Sequence, residues 1–253
     1  MKVLLTNGDS WTQGDSPAQT INWESKMDLD WYNIVPHFGR SADFSMPRNK
    51  RVMAKFYDSE IWPKVLGRLL DVETWNAGRL GDDNQGILHS TIRSVEWLLS
   101  QGKQDIFVIV GWSSPLRVPV FKTEDKGKYK LAQARPHDEN MTLPLDEYED
   151  IFNMDLTSTM HYLALQNYLD SRNIDYLFFN AFDNVQRIDK YAGRNLNLSK
   201  WVDEKVVYSH FDSYIKDKYR LSDNSNPKYY GINHPTDICH TAWAEHLYNI
   251  LNE

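Results

Sequence analysis

A single cysteine, Cys239, in 253 residues excludes an intramolecular disulfide framework. Long apolar runs are missing as well, and none approaches the roughly 20 residues that a membrane-spanning helix needs. Positive charge is in deficit, with 28 Lys and Arg against 35 Asp and Glu and a formal net charge of −7. A nucleic-acid partner calls for a concentrated basic surface instead, and the cluster Arg48-Asn49-Lys50-Arg51 reads as solvated loop. Neither G-x-x-x-x-G-K-[ST] nor G-x-G-x-x-G stands in a strand-to-helix turn, so a nucleotide-binding flavodoxin-like domain lacks its phosphate cradle. No cofactor is expected. Internal repeats and low-complexity linkers are also absent. The opening MKVLLTNGDS turns polar too early for a signal peptide, and the expectation is synthesis in a cytoplasm.

Metal chemistry finds little support. The acidic stretch from His137 to Asp150 lacks calcium-loop spacing. His240 and His246 fall six residues apart in an expected helix, about 120° apart around its axis, and cannot both face one ion. No metal is expected.

What the chain has in quantity is aromatic: nine Trp, fourteen Tyr and ten Phe. Most read as core and loop packing, and the remainder suit the faces of sugars or flat apolar groups. The length allows one sizeable core, burying roughly 70–75% of the surface of the unfolded chain. Val3-Leu4-Leu5 reads as a buried strand running into Asn7-Gly8-Asp9. Ile61, Val65, Leu66, Leu69 and Leu70 recur at helical spacing behind Pro63. A strand over 72–75, a helix over 84–99 and the continuous apolar run 106–110 follow, the last expected of a covered parallel strand. A helix over 152–171, a strand over 174–179 and a closing helix over 237–251 complete the pattern. Strands alternating with helices predict an α/β fold with a parallel sheet in one domain spanning 1–253. Irregular insertions are expected at about 13–58, 115–150 and 183–230.

In an open parallel sheet, ligands bind beyond the carboxyl ends of the strands, near the point where strand order reverses. Gly8-Asp9-Ser10 lies at such an end, directly after its strand. The second Gly-Asp-Ser, at 14–16, has no strand before it, so Ser16 reads as a turn residue and Ser10 as the candidate nucleophile. A serine hydroxyl needs a base to take its proton. His234, followed by Pro235 and then the last helix, is the preferred base, with His240 as the alternative. Asp237 sits where a first-turn carboxylate stabilises a helix.

Four ordered blocks make the sequence resemble the SGNH (GDSL-type) hydrolases. Gly8-Asp9-Ser10-Trp11-Thr12-Gln13-Gly14 matches the first block, and Asn76-Ala77-Gly78-Arg79-Leu80-Gly81-Asp82-Asp83-Asn84 the second. Gly111-Trp112-Ser113-Ser114-Pro115 stands where the family has Gly-x-Asn-Asp, and His234-Pro235, with Ala244 ten residues on, matches the last block. GDSWT together with GWSSP is similar to the branch carried by tailed bacteriophages. The resemblance implies a flavodoxin-like three-layer α/β/α sandwich with a parallel sheet and long loop insertions. It also implies an esterase without cofactor or metal. Ser10 would be the nucleophile and His234 the base, with Gly81 and either Ser113 or Asn84 as oxyanion donors. The implied substrate is a small acyl ester, such as an O-acetyl group on a polysaccharide, with no nucleic-acid or membrane partner. The phage branch implies a host cytoplasm or a virion as location, and a virion or oligomer partner.

Two positions depart from the family pattern. Ser113 replaces the oxyanion asparagine, and Gly231 stands three residues before His234, where the orienting aspartate belongs. Asp237, Asp223 or a backbone carbonyl are the alternatives for that third role. The same departures carry a second implication, a catalytically weakened domain acting as a binding or virion-structural module.

Overall fold

The computed structural model describes residues 3–14, 60–79, 82–115, 117–124, 128–134, 149–182, 192–202, 210–223, 226, 228–231 and 234–253. Ser16, Gly81, most of the first expected insertion and residues 135–148 lie outside the described residues.

In chain order the strands are β1 (Val3–Gly8), β2 (Glu73–Asn76), β3 (Ile106–Trp112), β4 (Val118–Glu124), β5 (Lys128–Ala134), β6 (Asp175–Asn180), β7 (Tyr230–Gly231) and β8 (His234–Pro235). The helices are α1 (Ser10–Gln13), α2 (Trp62–Leu70), α3 (Asn84–Ser100), α4 (Glu149–Ser171), α5 (Phe211–Tyr219) and α6 (Asp237–Asn252). Four parallel strands form the central sheet in the order β2-β1-β3-β6. Beside β6, two isolated parallel bridges, Phe178 to Trp201 and Asn180 to His210, take the place of a fifth strand.

Side chains alternate across a pleated strand, and here both faces are apolar. Val3, Leu5, Val108, Val110, Tyr176 and Phe178 point into one core, shared with Ile87, Val95 and Leu98 of α3 and Leu165 and Leu169 of α4. Leu4, Ile109, Leu177 and Phe179 point into the other, with Trp62 and Leu66 of α2, Phe211 and Ile215 of α5, and Trp243 and Leu247 of α6. Two cores on one sheet make a three-layer α/β/α sandwich. Each such side chain contributes roughly 1.5–3 kcal/mol when fully buried. Tryptophan is heavily used here: Trp11, Trp62, Trp112, Trp201 and Trp243 are all buried.

Local signals set the element ends. Pro63 opens α2, and Asp71 closes it in the left-handed conformation. Asp83 caps α3 by accepting the Gly86 N–H at 2.7 Å. Gly8 is required at the end of β1: it adopts φ +155°, and a Cβ there would lie 2.6 Å from the Gly111 carbonyl oxygen.

Two stretches read as irregular carry structure. Within 115–150, β4 and β5 pair antiparallel as a hairpin separate from the central sheet. Lys122, Lys128 and Lys130 interrupt the apolar alternation that reveals a strand in sequence. Within 183–230, α5 buries only Phe211, Asp212 and Ile215, too thin a stripe to give a helical period. Among the described residues no helix is long and apolar enough to cross a membrane.

Candidate active site

The order β2-β1-β3 means that the chain leaves β1 for one neighbour and returns to the other side for β3. The ends of β1 and β3 therefore flank the switch point, and Ser10 and Ser113 follow directly after them. Ser10 opens α1, a single turn of helix. Asp9 caps it: its Oδ1 accepts the Trp11 N–H at 3.0 Å, and its carbonyl accepts the N–H groups of Thr12 and Gln13. The Gly78 loop packs against this turn so closely that a Cβ on Gly78 would meet the Gln13 nitrogen at 2.8 Å. Asn76 clamps the two together, donating from Nδ2 to the Thr12 carbonyl at 3.0 Å and accepting the Gly78 N–H at 3.0 Å.

His234 arrives from the other end of the chain. β7 and β8 form a two-by-two antiparallel ribbon in which Gly231 pairs with His234 and Tyr230 with Pro235. The turn after it is fixed by the Thr236 N–H donating to the Tyr229 carbonyl at 2.8 Å and the Thr236 hydroxyl donating to the Lys228 carbonyl at 2.9 Å. The ribbon places His234 Nε2 2.8 Å from Ser10 Oγ. Ser10 is 2% exposed, so water competes little for this contact.

His240 lies elsewhere. It is fully buried in α6, and its Nδ1 accepts the Trp62 N–H at 3.2 Å, capping the start of α2. Burial, helped by the nearby His234, lowers its pKa to about 3. Asp237 sits in the first turn of α6 with Glu60 and Lys64 as its charged neighbours. Asp223 is exposed beyond the end of α5. Gly231, at the position of the missing aspartate, is the ribbon partner of His234.

The remaining expected residues meet in a network under Ser10. Ser113 Oγ donates to Asp9 Oδ2 at 3.0 Å, and the Ser113 N–H donates to Asn84 Oδ1 at 2.9 Å. Asn84 Nδ2 in turn donates to Ser158 Oγ at 3.3 Å. The carboxamide thus ties α3 to the end of β3 and to α4. Sequence reasoning missed Arg117. Its Nη1 donates to Asp9 Oδ2 at 2.8 Å and to Ser113 Oγ at 2.9 Å, and its guanidinium lies 5.1 Å from the Phe182 ring centroid. The Asp9 side chain is fully buried and that of Arg117 only 17% exposed. The one hydroxyl hydrogen of Ser113 is therefore directed at a carboxylate, and its lone pairs face a cation.

Asp82 borders the same network through its carbonyl, which accepts from Arg117 at 3.4 Å. Burial raises its carboxyl pKa to about 7; Arg79 opposes the shift and the Asp83 and Asp9 charges add to it. A group protonated more readily in the folded than in the unfolded state contributes stability that is lost as pH rises, here from about 4 to above 7. Asp82→Asn, which keeps the shape without the charge, is expected to melt above the wild type at pH 8. The gap should close below pH 4 in a series of thermal melts.

Comparison with solved structures finds a candidate lipolytic protein of the G-D-S-L family from Desulfitobacterium hafniense DCB-2. It is 14% identical, with 98% of each chain covered and a TM-score of 0.47. No curated protein matches the sequence. The family model described as Family of unknown function (DUF6071) matches residues 46–249. These residues run from the first expected insertion to α6, and the chain belongs to that family.

Proposed function

We propose that the protein is a serine-dependent hydrolase of acyl esters, with Ser10 as nucleophile and His234 as base. The observation that carries this reading is the 2.8 Å contact between Ser10 Oγ and His234 Nε2, made by residues 224 positions apart. With Nε2 unprotonated, His234 takes the Ser10 proton as Oγ attacks the acyl carbon. The negative charge gathering on the carbonyl oxygen is met by the Ser10 N–H, which as the first of α1 has no partner within the helix. The Gly81 N–H is its proposed companion. The tetrahedral intermediate collapses as His234 returns the proton to the departing alcohol, leaving an acyl-serine. Water, deprotonated by the same imidazole, attacks that ester and releases the acid with Ser10 restored.

Ser113 and Asn84 act here as supports rather than as oxyanion donors. Their polar groups fasten Asp9, the end of β3 and α4, and this fixes the turn that carries Ser10. No carboxylate need orient His234 for catalysis to persist, since spoiling the aspartate of a serine-protease triad slows turnover about 10⁴-fold without abolishing it. The proposed substrate class is a small acyl ester such as an O-acetylated sugar. Intact-mass analysis after treatment with a fluorophosphonate tests the reading. One adduct mapping to Ser10, absent in Ser10→Ala, is the expected result. An unlabelled folded protein at neutral and mildly alkaline pH would overturn it. Cys239 will not confuse the measurement, because burial pushes its thiol up to about 12.

A further inference from the structure

The ribbon that delivers His234 is too small to hold its own shape. It has two residue pairs, and Pro235 brings no N–H to the ladder. What holds it lies outside it. The Tyr230 hydroxyl donates to Asp212 Oδ1 at 2.7 Å, and Lys216 Nζ pairs with Asp212 Oδ2 at 2.6 Å. The Asp212 N–H donates to the carbonyl of Ala181, immediately after β6, at 3.2 Å. Tyr230 and Asp212 are each 3% exposed. A buried carboxylate is costly in lost hydration unless such partners satisfy it. The same Tyr230 ring rests on Trp11, the neighbour of Ser10, with centroids 6.2 Å apart. Tyr230 thus meets the nucleophile's turn with its ring, belongs to the base's ribbon by its backbone, and is tied through its hydroxyl and Asp212 to the end of the sheet.

We infer that Tyr230 and Asp212 are positioning residues for the base: they lock the His234 ribbon to the carboxyl end of β6 and so maintain the reach of His234 to Ser10. The inference rests on the Ser10–His234 reading above, and it gives the support of the base's ribbon to a buried pair, Tyr230 on β7 and Asp212 on α5.

Tyr230→Phe in the full chain tests it, because the ring and its contact with Trp11 stay while the anchor to Asp212 is cut. With p-nitrophenyl acetate, kcat is expected to fall about 10- to 100-fold, the range for a displacement of about 1 Å between reacting groups. KM should stay within about twofold, and the rate of fluorophosphonate labelling should fall in the same proportion as kcat. Asp212→Asn, which keeps an oxygen for the tyrosine hydroxyl, should lose less. In NMR spectra the His234 ring signal should move in Tyr230→Phe, while that of the exposed His89 stays in place. If kcat, labelling rate and the His234 signal all match the wild type, the inference is overturned, whatever happens to the melting temperature. The ring signal needs no turnover. A wild type that neither labels nor hydrolyses sinks the hydrolase reading alone, and the His234 signal still decides the positioning.

Discussion

His234→Ala is expected to lower kcat/KM for ester hydrolysis about 10⁴-fold, whereas His240→Ala should leave the rate per folded molecule within about tenfold of the wild type. The first expectation follows from geometry: without an imidazole at 2.8 Å, the Ser10 hydroxyl keeps its proton and attacks as a weak nucleophile. Loss of the base from a serine triad has costs of this order or more. The second follows from burial. His240 supplies an acceptor for the Trp62 N–H and fills space beside Phe211, with ring centroids 5.4 Å apart. Its removal costs stability, about 2–3 kcal/mol for a cavity and an unpaired donor. Urea titration and steady-state kinetics on both variants separate the two effects. Equal rate losses in the two would defeat the assignment of the base. Acid should add a further signature. The lowered pKa of His240 means that the unfolded chain takes up a proton there from about pH 6.5 downward while the folded one resists until about 3. Stability is therefore lost as pH falls through that window, and the His240→Ala variant should lack this part of the slope.

Arg117→Ala is expected to destabilise the protein by about 3 kcal/mol, the lower end of the range for stripping one partner from a buried ion pair. Partial exposure of the guanidinium places it there. The Asp9 carboxylate would keep Ser113 Oγ and the Trp11 N–H as donors but lose its cation. Because Asp9 caps the turn that begins with Ser10, kcat should fall as well, by roughly tenfold for a small misplacement. Arg117→Lys restores a point charge but not the guanidinium whose Nη1 reaches both Asp9 and Ser113 and which lies by the Phe182 ring, so it should recover part of the stability. A double-mutant cycle with Asp9→Asn isolates the pair; a coupling energy near zero would show that the two do not act together.

The contrast between these residues shows what a sequence can display. Ser10 and His234 stand out as candidates because each sits in a local context with a meaning of its own, a polar turn at the end of an apolar strand and an irregular stretch feeding the last helix. The central sheet is legible for the same reason, since continuous apolar runs such as 106–110 announce a strand covered on both faces. Arg117 carries no such mark. It is one basic residue in a stretch without period, and its value depends on Asp9, 108 positions away. Asp212 and Tyr230 are hidden in the same way, in a segment whose helix buries too few residues to betray itself. Gly231 is an intermediate case. Counting back from His234 finds Gly231 where the family that the sequence resembles has an aspartate, and the ribbon shows what that residue does here: it is the backbone partner of the histidine. The β4–β5 hairpin was obscured because its strands pair with each other outside the central sheet, where the apolar pattern has least to say.

The substitution of two isolated bridges for a fifth strand has a consequence for the behaviour of the molecule among its own copies. An uncovered edge strand is a template for adding another chain. Along β6, Val202 N–H already occupies the Phe178 carbonyl at 2.9 Å, and Asp212 N–H takes that of Ala181 just beyond the strand. The other border of the sheet is β2, four residues long and fronted by the Glu73–Lys103 ion pair. One border is filled piecemeal and the other is short and charged, so among the described residues neither offers a run of free backbone long enough to seed aggregation by strand addition.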